Sequence, residues 1–342
     1  MIVNETIMII FSTLLLKILP LYVIIFMGYI AGKFLNSNRD TIANLLFVMI
    51  TPVIIFNGVI NTKLDSSIIL LPFLTFAISS FLCLFFYQAS KYVWKDKTRN
   101  LMAITAGSGN TGYFGLPVAL ILFDNQGEGI YIMAMLGVSL FENTLGFYML
   151  ARGTNTTREC MVKLAKLPSL YGFALGLLCK LVNWFPPVLF EELIDPMKGT
   201  YTVLGMMVVG LGLASVKSMK LDFKFIGMTL FAKFAAWPVT ALVVILADAH
   251  FFHFFNQEVY PALLLISVVP LAANTIILAS ILQNHPEKSA TAVILSTVFA
   301  LGYTPLMTMY FIGGGKNSES EETAFLERMI PAKELPPVKL EL

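Results

Sequence analysis

Two ionisable side chains lie deep inside apolar stretches of the 342-residue sequence: Glu142 in "SLFENTLGFYML" and Lys233 in "LFAKFAAW". A charged group at the centre of a bilayer costs roughly 3 kcal/mol or more, so such a residue marks function by default. Glu142 shares a helical face with Ser139, Asn143 and Gly146, and Lys233 shares one with Thr229, Trp237 and Thr240. Glu142 precedes Arg152 by ten residues and Lys233 follows Lys224 by nine, which puts the two at similar depth if both basic residues mark one membrane surface. The expected chemistry is a buried Glu142–Lys233 pair that a proton, a cation or an anionic substrate can disrupt, coupling charge to transport, with Asn143 beside it. A static structural pair is the alternative, because many buried ion pairs serve no switch.

A second kind of chemistry comes from backbone. "GNTGYFGLP" at 109–117 and "VVPLAANT" at 268–275 place helix breakers within apolar runs. Proline removes a donor and clashes with the preceding turn, and glycine loosens the chain, so Gly109, Gly112, Gly115, Pro117 and Pro270 predict unwound segments. Lipid satisfies no freed backbone group; such segments are tolerated only inside protein or beside a wet cavity. One such break is a packing kink, whereas two at matching places make a site. Half-helix N-termini present unpaired N–H groups and positive dipole ends, which suit an anion. Asn110, Thr111, Asn274 and Thr275 add neutral hydrogen bonds that hold a carboxylate without a permanently buried cation. Asn57, following Thr51-Pro52, is a further candidate, or else an interhelical hydrogen bond.

The elements that position these residues are membrane helices. The chain is 57% hydrophobic and 13% charged, with mean hydropathy +0.78, against about a quarter charged in soluble domains. Ten apolar runs are each long enough to cross a hydrocarbon core of roughly 30 Å. They span 6–31, 40–61, 67–92, 100–123, 129–151, 162–183, 196–216, 224–247, 258–282 and 288–312. The first lacks a cleavage site and follows Glu5, so it reads as a retained span rather than a signal peptide. Short connections leave no room for an inserted soluble domain, and 313–342 reads as a flexible polar tail whose end looks partly appended.

Basic residues alternate between the loops. One set holds Lys33, Arg39, Lys91, Lys95, Lys97, Arg99, Arg152, Arg158, Lys163, Lys166, Lys217, Lys220, Lys224 and Lys288; the other holds little beyond Lys63, Lys180 and Lys198. The positive-inside rule then puts both termini on the extracytoplasmic side of a cell membrane, and makes nucleic acid an unnecessary partner. Lys17 reads as snorkelling outward.

The remaining signals exclude more than they suggest. Cys83, Cys160 and Cys179 have no metal-ligand spacing. His250 and His253 in "HFFHFFNQE" read as an interface belt rather than a metal pair. No H-E-x-x-H, G-x-S-x-G or P-loop occurs, so the sequence predicts no enzyme and no resident cofactor or metal, with a proton or sodium ion as the candidate coupling species.

Internal repetition organises the spans. "LPLY" at 19–22 is matched by "LPSLY" at 167–171, Lys63-Leu64-Asp65 by Lys220-Leu221-Asp222, the fourth-span break by the ninth, and Glu128 by Glu287. Five spans per half is odd, so the halves, about 6–151 and 162–312, are inverted relative to one another.

The "GNTGYFGLP" segment, the second span "RDTIANLLFVMITPVIIFNGV" and the ninth span "VVPLAANTIILASIL" resemble the auxin efflux carrier family, whose bacterial members are small permeases. The resemblance covers roughly 6–312. It implies an all-α fold of ten helices in two inverted five-helix repeats with broken helices 4 and 9 crossed, a scaffold of helices 1, 2, 6 and 7, and a transport domain of 3–5 and 8–10. It implies Asn110, Pro117, Pro270 and Asn274 as crossover residues, and small organic anions as substrates: indole-acetate in plant members, malate or malonate in bacterial ones. The long loop between spans five and six of the plant carriers is missing, which disfavours auxin itself. Crossed-helix sodium/proton antiporters are similar in pairing an acid on helix five with a lysine on helix eight.

The sequence therefore predicts a secondary carrier of small carboxylates working by alternating access in the lipid bilayer. A cation/proton antiporter on a similar fold and a non-transporting sensor are the alternatives, and a second copy of the chain is a candidate partner.

Overall fold

A computed structural model describes residues 2–35, 37–151, 162, 165–184, 186–214, 221–308 and 310. Arg152, Arg158, Cys160, Lys163, Lys217, Lys220 and the tail at 313–342 lie outside these residues, as do the side chains of Glu5 and Lys17. The described residues fold into helices and loops. Six helices are long and apolar enough to cross a membrane: α2 (Arg39–Asn61), α3 (Ser66–Ser90), α6 (Asn125–Leu150), α8 (Val188–Ala214, from Glu192), α9 (Phe223–Phe252) and α12 (Pro286–Thr308). The others are α1 (Ile2–Phe34), α4 (Thr98–Gly107), α5 (Leu116–Leu122), α7 (Pro168–Leu181), α10 (Val259–Val268) and α11 (Asn274–Ile281).

Local chemistry sets where these rods begin. Asp65 accepts the N–H of Ile68 at 2.9 Å and Asp222 that of Phe225 at 3.1 Å, so both aspartates of the Lys-Leu-Asp pair are N-caps. Asp124 does the same for α6 through Gly127, at 2.9 Å.

Long helices are interrupted by π-helical turns at Leu46–Ile50, Glu142–Gly146 and Ala232–Ala236. Such turns widen the backbone spiral and recur at functional sites. Glu142 opens one and Lys233 lies inside another, a feature the spacing of apolar residues does not disclose.

Packing pairs helices distant in sequence. α1 lies along α8 and α7 along α2, while α3 packs on α4 and α6, and α10 on α6, α9 and α12. Between lipid-immersed helices, small residues drive association by letting backbones approach. A Cβ on Gly28 would stand 2.7 Å from Met207 Cα, and one on Gly210 would stand 2.7 Å from the Tyr29 nitrogen. On the other pair, a Cβ on Gly172 would stand 2.9 Å from Pro52 Cα. Real Cβ atoms do not come so close, so glycine is required at each position.

The loops gather at two ends. At one end Lys288 bridges Asp222 at 2.9 Å and His285 approaches Asp96 at 3.3 Å. At the other, Gln126 accepts from Lys63 N–H at 2.8 Å, and Lys198 pairs with Glu128.

Candidate functional site: two helix breaks in contact

The gap after α4 is three residues, Ser108-Gly109-Asn110, and helix resumes as a π-helical turn, Thr111–Gly115, leading into α5. The breakers therefore act differently from the sequence expectation. Gly112 and Gly115 lie inside resumed helix, and Pro117 follows the π-helical turn near the start of α5. Asn110 has φ −74° and ψ 59°, and Thr111 N–H donates to Gly109 O at 2.7 Å. That is an inverse γ-turn. The second gap, Val269 to Ala273, contains Pro270 and ends where Asn274 opens α11.

The gaps touch: Asn110 N–H donates to Pro270 O at 2.8 Å. Buried backbone groups need partners, and neighbouring helices supply them. Trp237 Nε1 donates to Ala106 O at 3.0 Å, Thr304 Oγ1 to Val268 O at 2.8 Å, and Tyr131 OH to Thr111 O at 2.9 Å. Ser296 Oγ accepts from Leu271 N–H at 3.1 Å. Gly115 admits Tyr131: a Cβ there would collide with the phenol oxygen.

Glu142 and Lys233 both address the gap at Gly109. The Gly109 N–H points to Glu142 Oε1 at 3.4 Å, and a Cβ on Gly109 would stand 2.8 Å from Lys233 Nζ. Asn274 also hydrogen-bonds the Glu142 carboxylate. Lys233, fully buried, donates to Ile266 O at 3.3 Å and sits 4.6 Å over the Trp237 ring. Glu142 and Lys233 form no direct ion pair, although the two charges are near enough to act on one another. Both charges thus hold backbone at the break: the carboxylate takes an N–H, and the ammonium takes a carbonyl at the end of α10.

A narrow cleft with about 20 Å³ of free space reaches Asn110, walled by Tyr113, α8, α11, α12 and Arg39. That is room for about one water molecule, short of the roughly 300–1,000 Å³ usual for small-molecule sites, so a ligand enters only when the walls part. A larger groove of about 610 Å³ between α2 and α7, walled by Pro52, Phe56, Leu175, Trp184 and Phe190, is almost wholly apolar.

The residues singled out by sequence divide accordingly. Asn110 lines the cleft; Asn274 turns to Glu142; and Thr111, buried, gives its carbonyl to Tyr131. The Thr275 hydroxyl is engaged by Ala272 O at 2.7 Å and Ser289 at 3.1 Å. Asn143 donates to Ser139 O at 2.8 Å on its own helix. Asn57 accepts from Asn61 at 2.9 Å, away from the cleft. Gly112 lies near Tyr201: a Cβ there would stand 3.5 Å from its hydroxyl. Sequence reasoning passed over Tyr131, Ser296 and Thr304, single polar residues in apolar helices. It also took Arg39 for a topology marker only.

Comparison with known proteins agrees with this architecture. The family described as "Membrane transport protein" matches residues 13–159, and the "Sodium Bile acid symporter family" matches residues 200–329. An uncharacterized transporter of Methanocaldococcus jannaschii is 26% identical over 299 residues, covering 83% of this chain and 94% of its own length. Apolar helices of membrane-spanning length and these matches define an integral membrane transporter. Residues 13–159 are thus similar to a membrane transport protein family, in keeping with the resemblance of the broken segments to auxin efflux carriers.

Proposed function

We propose that the protein is a secondary carrier of small organic anions, carboxylates above all, that binds them where the two helix breaks meet and moves them by alternating access. The observation that carries this reading is the 2.8 Å hydrogen bond from Asn110 N–H to Pro270 O at the head of a cleft. Around it the spent backbone groups are held by protein side chains. The resumed helices turn their positive dipole ends toward the breaks, which suits a carboxylate.

The finer architecture belongs to the same proposal: ten crossings in two inverted halves, scaffold helices from spans 1, 2, 6 and 7, both termini outside a cell membrane, and a homodimer as the assembly. Three observations support it. α1–α8 and α7–α2 each pair a helix of one half with a helix of the other, Asp65 and Asp222 cap corresponding helices, and the loops sort to two ends as the basic residues require.

The test is binding of mono- and dicarboxylates to purified protein, read by thermal shift. Saturating ligand at about 100 times its Kd raises stability by about 2.7 kcal/mol. Asn110→Ala should abolish the shift. A panel in which no carboxylate binds, or in which the variant binds as well, overturns the reading.

A cation/proton antiporter is the second reading, favoured by two buried charges at the break and by the second half's likeness to a sodium symporter family. Sodium-stimulated proton flux in vesicles without organic acid would select it.

A further inference from the structure

Arg39 departs from the behaviour of a topology marker. It opens α2 at a loop, where a lysine or arginine that only fixes orientation extends into water or headgroups. Its side chain is instead 14% exposed, while that of neighbouring Asp40 is 81% exposed. Nε is buried and has no hydrogen-bond partner among the described residues. Its ion contact, Nη1 to Asp40 Oδ1, is stretched to 4.0 Å. The guanidinium lies against Gly212 of α8, where a Cβ would stand 3.4 Å from Nε.

The same side chain lines the cleft that reaches Asn110, together with Tyr113 and Thr297, over an otherwise apolar wall that includes Val208 and Val293. A buried charge without a close partner is strongly disfavoured. An anion in the cleft compensates it, and a carboxylate does so best, because the planar guanidinium offers two parallel N–H donors to two oxygens.

We infer that Arg39 is the charge-selecting residue of the carrier, its guanidinium taking a carboxylate of the transported molecule within the cleft that leads to Asn110. This rests on the carboxylate reading proposed above. Once the walls part, the apolar lining faces a short hydrocarbon body, and neutral analogues of the same shape are rejected because the guanidinium is left unmatched.

The test uses the full chain in detergent at constant ionic strength, with acetate, propionate, malonate, succinate and malate as probes and propionamide as the neutral counterpart. The tightest probe should bind Arg39→Gln at least tenfold more weakly than wild type, with Arg39→Lys between them because a lysine lacks the fork. Propionamide should bind wild type weakly and Arg39→Gln at least as well. Asp40→Asn should stay within twofold of wild type; if it instead mimics Arg39→Gln, the arginine acts through Asp40 and the inference falls. Wild-type affinity in Arg39→Gln alongside a loss in Asn110→Ala overturns the role of Arg39 and leaves the carboxylate reading standing. Failure of wild type to bind any probe overturns both. If Arg39→Gln does not purify as a folded protein, Arg39→Lys decides alone: unchanged affinity there overturns recognition by the fork.

Discussion

Trp237 donates its indole N–H to the carbonyl of Ala106 at 3.0 Å, across 131 residues of sequence. Ala106 lies in the last turn of α4, where carbonyls have lost their helical acceptor role because the chain unwinds at Ser108. One helix break is thereby held open by a side chain from the other half of the molecule, and the same ring supports the Lys233 ammonium. The break is a built feature with its own partners.

Trp237→Phe tests that dependence. It keeps an aromatic ring in a fully buried position and removes the donor. A buried carbonyl left unpaired costs about 1–3 kcal/mol, so the variant should unfold at lower denaturant concentration than wild type with the same slope. An unchanged midpoint would mean that Ala106 O finds another donor.

Gly115 and Tyr131 should be energetically coupled. Gly115→Ala drives a Cβ into the phenol oxygen, and Tyr131→Phe removes that oxygen together with its hydrogen bond to Thr111. Each single change should destabilise. The double variant should be more stable than the sum of the two losses by about 0.5–3 kcal/mol, the range for residues in contact. Strict additivity in the cycle would place the steric conflict elsewhere.

Membrane-spanning helices were legible because hydropathy is a direct property of composition, and the two breaks because proline and glycine announce them. The place where each break begins was not. Gly112, Gly115 and Pro117 read as unwinding agents, yet the chain opens upstream at Ser108 and Pro117 lies near the start of α5. Apolar periodicity assumes 3.6 residues per turn, so it also misses the π-helical turns that carry Glu142 and Lys233. Equal depth suggested a direct pair; the two groups do meet at Gly109, but each is held there by a backbone group rather than by the other. Arg39 was hidden for a related reason. A basic residue at a helix start satisfies the positive-inside rule whichever way its side chain turns.

The ion pair between Asp222 and Lys288 ties the start of α9 to that of α12, with side chains 24% and 15% exposed. Burial pushes the Asp222 carboxyl upward, but the Lys288 ammonium and the N–H groups of Phe225 and Lys224 outweigh it, so the group titrates below its ordinary 3.8. A depressed folded value means that its stabilisation is complete above the unfolded value and is lost as pH falls through the folded one, so the affected window lies below about pH 4. Asp222→Asn keeps an N-cap and deletes only the charge. It should lower stability at neutral pH by about 0.2–1 kcal/mol, less at high salt, and flatten the acid limb of the stability curve. An acid limb identical to that of wild type would assign the acid sensitivity to other carboxylates.

Glu142→Gln separates structure from coupling. The amide keeps an oxygen for the Gly109 N–H and a polar end for Asn274, so the break should stay assembled and the unfolding midpoint should move little. What the amide lacks is a titratable proton and a charge to balance Lys233 at Gly109. If the coupling ion acts through this carboxylate, carboxylate uptake into vesicles by Glu142→Gln should become independent of pH between about 5 and 8, the physiological span over which an active acid must change state. Proton flux measured with an entrapped pH dye should vanish in the same vesicles, while the affinity measured for the carboxylate changes less than the rate. A variant whose uptake follows the wild-type pH profile would show that Glu142 serves only to hold the Gly109 N–H, and would move the search for the coupling group to the other buried polar residues of the two breaks.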